Sequence, residues 1–168
     1  EYFDKYFTEG DYVFATWANH LEALLAGVPS EKVKNRILDG ESMAMNFPEY
    51  NFYTSAIVGG ILPIAVGVAY AQKQRQVVRR THCFIGDMAL MTGVASESIR
   101  YAIGHNLPIS FIVADNGKSV GTDTEKTWGL NPREVFDSLA DIKHNRGYTK
   151  VVTQTKLYYY KYKLTYPH

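Results

Sequence analysis

Cysteine is almost absent from this sequence, since Cys83 is the only one among 168 residues. It cannot form an internal disulfide, and a reducing cytoplasm is therefore the simplest location. Neither acidic nor basic residues are in large excess, and the formal net charge is +1. This balance argues against nucleic acid or an anionic membrane as a partner. No apolar run reaches the roughly 18 residues that a membrane span needs.

The composition that remains is that of a globular protein, with 46% hydrophobic and 21% charged residues. A chain of 168 residues fits one domain with a substantial core, so we predict a single domain over residues 1–168. The chain begins at Glu1 without a methionine and stops at His168 in mid-pattern. These ends suggest a domain truncated on both sides.

The first third of the chain shows helical spacing interrupted by a long segment without a period. Apolar spacing predicts a helix in "TWANHLEALLAGVP". A second short helix is predicted to follow, with Ser30 as its N-cap and Gly40 as its stop. The segment "ESMAMNFPEYNFYTS" predicts a long loop. A buried helix is then predicted from Thr54 to about Gln74.

Alternating helices and apolar strands follow. "THCFIG" predicts a central strand, "TGVASESIRYAIGHN" an amphipathic helix and "LPISFIVADN" a second strand. This order favours an α/β fold with a parallel sheet flanked by helices on both faces. "NPREVFDSLADI" predicts a short helix, and "KVVTQTKLYYYKYKLTYP" predicts one or two half-exposed strands at an edge or interface.

Polar residues end the two predicted strands. Gly86-Asp87 ends the first and Asp115-Asn116-Gly117 ends the second, with one helix between them. A right-handed strand–helix–strand unit brings Asp87 and Asn116 to the same edge of the sheet, where ligands bind in open parallel sheets.

Carboxylate, amide and loop carbonyl oxygens suit Mg²⁺ or Ca²⁺ better than zinc. A Mg²⁺ ion with few protein ligands usually also binds phosphate oxygens, and "GKSVGTDT" supplies flexible backbone next to Asn116. The alternative is structural: Asp87 caps the next helix and Asn116 makes a turn. The occurrence of both residues on adjacent strands favours the metal site.

"GDMALMTGVASESIRYAIGHNLPISFIVADN" resembles the thiamine-diphosphate motif, which has GDG, a helix and strand, and then NN. In order around it, "FATWANHLEALLAGVP", "SAIVGGILPIAVGVAYAQK" and "SVGT" resemble the alpha subunit of 2-oxo acid dehydrogenase decarboxylating components. The likeness spans about Phe14 to Thr124. It implies the thiamine-diphosphate-binding fold and, within it, the diphosphate-binding module.

The resemblance also implies a set of site residues. Asp87 and Asn116 would bind Mg²⁺ through their side chains and Lys118 through its carbonyl. The remaining cofactor-binding positions would be Ala56 and Val58 near the cofactor ring and Gly86, Met88, Ala89 and Ser119 near the diphosphate. Ile57 and Gly59 would be packing residues.

Two histidines correspond to histidines of the family and are the candidate catalytic residues: His20 in the first helix and His168 at the end of the chain. A structural role is favoured for His20. No GxGxxG follows a strand, which argues against a nicotinamide site.

The sequence departs from the family pattern at several positions. Met88 replaces a glycine, Asp115 replaces the first asparagine, and Ala18 stands where the family has a diphosphate-binding arginine. These changes leave open a cofactor-impaired assembly subunit of the same fold. A transketolase- or carboligase-type enzyme half is also open, because those reactions share the diphosphate anchor.

The resemblance implies a decarboxylating, acyl-transferring oxidoreductase with thiamine diphosphate and Mg²⁺ as cofactors. In the family, the glutamate that contacts the aminopyrimidine comes from a separate pyrimidine-binding module. We therefore expect a beta-type partner subunit, in a homodimer or an α2β2 assembly. A lipoyl acyltransferase is a further candidate partner.

Overall fold

A five-stranded parallel sheet forms the centre of the part of the chain described by the structure, a computed structural model covering residues 1–144 and 154–163. The strand order is β2-β1-β3-β4-β7, and neighbouring strands are parallel. A small antiparallel hairpin of β5 and β6 follows β4. The strands are β1 (Tyr12–Ala15), β2 (Phe52–Thr54), β3 (Thr81–Gly86), β4 (Ile109–Asp115), β5 (Lys118–Ser119), β6 (Thr122–Asp123) and β7 (Lys156–Lys161).

Helices cover both faces of this sheet. They are α1 (Tyr2–Tyr6), α2 (His20–Leu25), α3 (Ser30–Leu38), α4 (Ile61–Gln74), α5 (Asp87–Leu90), α6 (Gly93–Gly104), α7 (Thr124–Trp128) and α8 (Pro132–His144), with a 3-10 turn at Pro48–Tyr50. One apolar cluster joins α4, α6 and α8 to one face of β3 and β4, and a second joins α1, α2 and α3 to the other face. The predicted fold class is confirmed.

The central strands have continuous apolar runs because both of their faces are buried. Along β4, Phe111 and Val113 face the first cluster and Ile112 faces the second. The predicted strands "THCFIG" and "LPISFIVADN" and the helix between them are confirmed as β3, β4 and α6. The short helix after Trp128 is confirmed as α8.

Two strands of the sheet were missed in the sequence. β1 lies in the aromatic opening segment, and β2 lies inside the segment predicted as a long loop. Val13 pairs with Phe52 on one side and with His82 on the other. Both strands are too short for their sequences to show a period. Because β2 and the 3-10 turn lie within 41–55, the prediction of a long loop there is wrong.

Two helix boundaries also differ from the prediction. The buried helix begins at Ile61 rather than Thr54, because Thr54 is in β2 and Gly59 takes a left-handed conformation with φ of +77°. Ser30 is the first residue of α3, and Pro29 is its N-cap. Gly40 follows the end of α3 with φ of +78°, as expected for a helix stop.

The C-terminal strand β7 lies at the edge of the sheet beside β4, which confirms a strand in the Tyr-Lys segment. His168 lies outside the described residues. Over residues 1–144 and 154–163, no helix has the combination of length and apolar character that crossing a bilayer requires.

Candidate functional site

Asp87 lies at the junction between β3 and α5, and its side chain is buried with 2% exposure. The N-cap of α5 is Gly86, and Asp87 is the first helical residue. The carboxylate accepts a hydrogen bond from the hydroxyl of Thr124, a fully buried residue at the start of α7. Asp87 therefore does not cap α5, so the predicted capping role is wrong.

The turn after β4 lies directly beside Asp87. Gly86 pairs with Ala114 in the β3–β4 register, so the next residues, Asp87 and Asp115, lie side by side at the ends of the two strands. Asp115 is 4% exposed, and its Oδ1 accepts from the Gly117 amide at 2.8 Å. The strand–helix–strand unit thus brings the two predicted strand ends together.

Asn116 makes a turn and also remains able to bind a metal. Its Oδ1 accepts from the Lys118 amide at 2.9 Å. An amide oxygen has two lone pairs, so the same atom can accept this bond and contact a cation. Lys118 begins β5 with an exposed side chain, and Ser119 follows it half-buried in the hairpin.

Two buried acidic side chains, Asp87 and Asp115, lie together at this site. Burial raises the pKa of Asp87 above its ordinary value, a hydrogen bond from Thr124 lowers it, and the nearby Asp115 raises it further. No ion pair to either carboxylate is found among the described residues. A buried carboxylate without a cation is costly.

The donor set fits Mg²⁺. It offers the Asp87 carboxylate, the Asn116 amide oxygen and backbone carbonyls, all hard oxygen ligands. Within the described residues no three His, Cys, Asp or Glu side chains form a group that could hold a metal ion by themselves, so amide and carbonyl oxygens would have to contribute. The arrangement therefore suits a hard cation that completes its coordination with oxygens of water or phosphate.

The first turn of α5 lies next to these oxygens. Met88 and Ala89 belong to this turn, whose amides have no carbonyl partner within the helix. The Met88 sulfur accepts a hydrogen bond from the indole N–H of Trp128 at 3.0 Å. The side chain of Met88 is thus in contact with α7.

The predicted ring-side residues lie between β2 and α4, at the carboxyl end of β2. The Ala56 carbonyl accepts from the indole N–H of Trp17 at 2.6 Å, and Val58 is 46% exposed. Ile57 is 73% exposed, so its assignment as a packing residue within this chain is wrong. Gly59 is buried in close contact with Thr92 and Val94, as a packing residue would be.

His20 begins α2 and contacts Ser42. Its Nε2 lies 2.9 Å from Ser42 Oγ, and the neighbouring Asn19 donates to the Ser42 carbonyl at 3.2 Å. These bonds hold the start of α2 against the segment that precedes the 3-10 turn. This is consistent with the structural role favoured for His20, and its catalytic role stays a prediction, as does that of His168.

Two contacts of the site could not be assigned from the sequence. Thr124 donates to Asp87; it lies in the "GKSVGTDT" segment, but no local pattern pairs it with Asp87. Tyr159 donates to Asp115 at 2.6 Å, and it lies on β7, far along the chain from the motif.

Comparison with solved structures defines the class of fold. A protein from Mycobacterium smegmatis described as thiamin diphosphate-dependent superposes with a TM-score of 0.56 over 94% of this chain and 29% of its own, at 17% identity. Benzoylformate decarboxylase from Polynucleobacter necessarius gives a TM-score of 0.52 over 93% of this chain and 30% of its own, at 13% identity. The chain shares their fold.

The particular family follows from sequence. The family described as dehydrogenase E1 component matches residues 3–131, and this chain belongs to that family. Chloroplastic pyruvate dehydrogenase E1 component subunit alpha-3 of Arabidopsis thaliana is 30% identical over 152 residues, covering 77% of this chain and 36% of that protein. The alpha subunit of Porphyra purpurea is 32% identical over 128 residues, covering 66% and 37%. The chain thus spans about a third of these relatives.

Proposed function

We propose that this chain binds thiamine diphosphate and Mg²⁺ and forms the alpha-type half of a 2-oxo acid dehydrogenase. The observation that supports this most directly is the buried Asp87 carboxylate beside the Asp115-Asn116 turn, without a cationic partner in the described part of the chain. Membership of the E1 family supports the same assignment.

Each part of the proposed site has a distinct task. Asp87, Asn116 and the Lys118 carbonyl would hold the metal, whose positive charge would neutralise the diphosphate. The first-turn amides of Met88 and Ala89 offer donors to its oxygens. When bound, the cofactor supplies the carbon nucleophile and electron sink for decarboxylation. Gly86 and Ser119 would border the diphosphate, and Ala56 and Val58 would border the ring, as the family resemblance implies.

A second chain completes the proposed enzyme. The relatives' names describe alpha subunits, which supports a beta-type subunit with the pyrimidine-binding module as partner. A homodimer or α2β2 assembly and a lipoyl acyltransferase as acyl acceptor belong to the same proposal. The cytoplasmic location and the single domain over residues 1–168 stay predictions.

The competing proposal is an assembly subunit that has lost productive cofactor binding. Ala18 favours it, because this exposed side chain offers no charge where the family resemblance implies an arginine. A carboligase- or transketolase-type half shares the anchor and is distinguished only by its substrate.

Cofactor binding tests the proposal directly. The melting temperature of the chain should rise by roughly 5–10 °C when Mg²⁺ and thiamine diphosphate are both present at about one hundred times their dissociation constants. Asp87→Asn should abolish the rise in melting temperature, because it removes the carboxylate charge from the proposed metal site. Asp39→Asn, at an exposed acid beyond α3, is the matched control and should keep it.

The outcomes separate the two proposals. A folded wild-type chain with no shift, alone or with a candidate beta subunit, excludes cofactor binding and favours the assembly subunit. A shift that Asp87→Asn retains would place the metal elsewhere. Transfer of the acyl group from a 2-oxo acid to a lipoyl acceptor by the reconstituted pair, rather than to an aldehyde or ketone, then separates the dehydrogenase from the carboligase alternative.

A further inference from the structure

The edge strand β7 contacts the proposed cofactor site through Tyr159. Its hydroxyl donates to Asp115 Oδ2 at 2.6 Å, while the other carboxylate oxygen accepts from Gly117. Tyr159 pairs with Val113 in the β4–β7 register, so its ring lies on the same face of the sheet as Val113 and Asp115. Asp115 thus has one donor from its own turn and one from β7.

The ring of Tyr159 is held in place by α8. Its centroid lies 5.0 Å from that of Phe136, and the Arg133 guanidinium carbon lies 5.1 Å from it on the ring face. Arg133 is itself paired with Asp137, with Nε 2.9 Å from Oδ1. Because the ring is held between these groups, its hydroxyl has a fixed direction toward Asp115.

A backbone hydrogen bond also joins the Asp115 turn to the chain after β7. The Tyr162 amide donates to the Asp115 carbonyl at 2.9 Å, one step beyond the end of β7. Asp115 is therefore attached to the β7 segment through both its side chain and its backbone.

Chemistry explains why a donor is needed at this point. The family motif has asparagine where this chain has Asp115. An asparagine amide both donates and accepts hydrogen bonds, whereas a carboxylate only accepts them, so Asp115 needs donors on both oxygens. A carboxylate that is 4% exposed requires donors for both oxygens. Gly117 and Tyr159 supply them.

We propose that Tyr159 is a positioning residue: by donating to Asp115 it fixes the Asp115–Lys118 turn in the geometry that holds Mg²⁺ and the cofactor diphosphate. This inference rests on the proposed function. Tyr159 does not touch the cofactor, and it acts through Asp115. In this chain, Asp115 with its donor Tyr159 stands where the family motif has its first asparagine.

The test removes only the hydroxyl. Tyr159→Phe should raise the dissociation constant for thiamine diphosphate with Mg²⁺ by about ten-fold, as is typical when the hydrogen-bond partner of a metal-ligand shell is lost. Intrinsic fluorescence can measure this binding, because both tryptophans, Trp17 and Trp128, contact predicted site residues. Tyr160→Phe, on the next residue of β7, is the matched control and should bind like wild type.

A double variant shows whether Tyr159 acts through Asp115. Tyr159→Phe leaves a buried carboxylate short of a donor, and Asp115→Asn removes that charge. D115N combined with Y159F should therefore bind within about three-fold of D115N alone. A merely structural loss at β7 would lower affinity by the same factor in both backgrounds.

Each outcome has a defined meaning. Wild-type chain that binds no cofactor, alone or with its partner, overturns the proposed function and this inference together. Wild-type binding that Tyr159→Phe retains, or an equal loss in the D115N background, overturns the inference alone. Melting of the cofactor-free variants is measured alongside, and the Tyr159→Phe chain should melt within a few degrees of Tyr160→Phe.

Discussion

Met88 shows at the scale of one residue how a departure from a motif is accommodated. The sulfur accepts from the Trp128 indole at 3.0 Å, so the side chain reaches toward α7. The two residues lie on elements that are also joined by the Thr124–Asp87 hydrogen bond. The contact explains how a long side chain can occupy the second position of α5 beside the proposed diphosphate site.

We expect Met88→Leu to lower the free energy of unfolding by about 0.5–1 kcal/mol, because it keeps the apolar volume and removes the sulfur acceptor. Met88→Gly should cost more, since it also adds backbone freedom to α5. Urea denaturation measures both losses.

Cofactor affinity tests the direction of the Met88 side chain. If it is held away from the diphosphate, Met88→Gly should bind thiamine diphosphate within about three-fold of wild type, which is below 1 kcal/mol. An affinity gain above about ten-fold would show that methionine obstructs the site.

At the scale of elements, the junction between β2 and α4 depends on Gly59. Its φ is +77°, and a Cβ there would lie 2.6 Å from Val94 Cγ1 and 2.9 Å from Thr92 Oγ1. Thr92 is itself the N-cap of α6, accepting from Ala95. The start of α4 is therefore packed against the start of α6 without room for a side chain.

Gly59→Ala should destabilise the chain by about 2–4 kcal/mol through backbone strain and overpacking. Gly67, on the exposed side of α4 with nothing within 4 Å of a built Cβ, is the matched control. Gly67→Ala should stabilise by about 0.5–1 kcal/mol, as in other exposed helix interiors. Chemical denaturation distinguishes the signs, and equal effects would contradict the packing argument.

The same elements show what the sequence could predict. β3 and β4 are long apolar runs, and a topological rule then places Asp87 and Asn116 at one edge. β1 and β2 were missed because strands of four and three residues show no period. The Tyr159–Asp115 bond depends on the β4–β7 register, which no local pattern specifies.

At the scale of the whole molecule, a buried and a half-buried carboxyl group, Asp11 and Glu22, have pKa values shifted in opposite directions. Asp11 Oδ2 lies 3.0 Å from His82 Nε2, and the Tyr2 hydroxyl bonds the other ring nitrogen at 2.9 Å. Burial alone would raise the pKa of Asp11, but hydrogen bonds from His82, Arg80 and Thr8 bring it below its ordinary value.

Burial raises the pKa of Glu22 on α2 from 4.5 to about 7. The folded chain then keeps a proton on Glu22 that the unfolded chain has lost. Folding stability should fall as pH rises from about 4.5 to about 7 and stay level above that. At 1.36 kcal/mol per pH unit and with partial solvent access, the loss is about 1–3 kcal/mol. Asp11 contributes the opposite slope, because its lowered pKa makes stability fall as pH drops below about 4.

The cofactor-free chain should therefore be most stable at mildly acidic pH, near about pH 5, where Asp11 is ionised and Glu22 is still protonated. Urea denaturation at about pH 5 and about pH 8 measures the difference. Glu22→Gln should reduce it, because the amide does not titrate, and the remainder would come from Asp87, whose pKa burial also raises. Glu97→Gln on the exposed face of α6 should leave it unchanged. A Glu22→Gln chain with the wild-type slope would show that another group carries the neutral-pH loss.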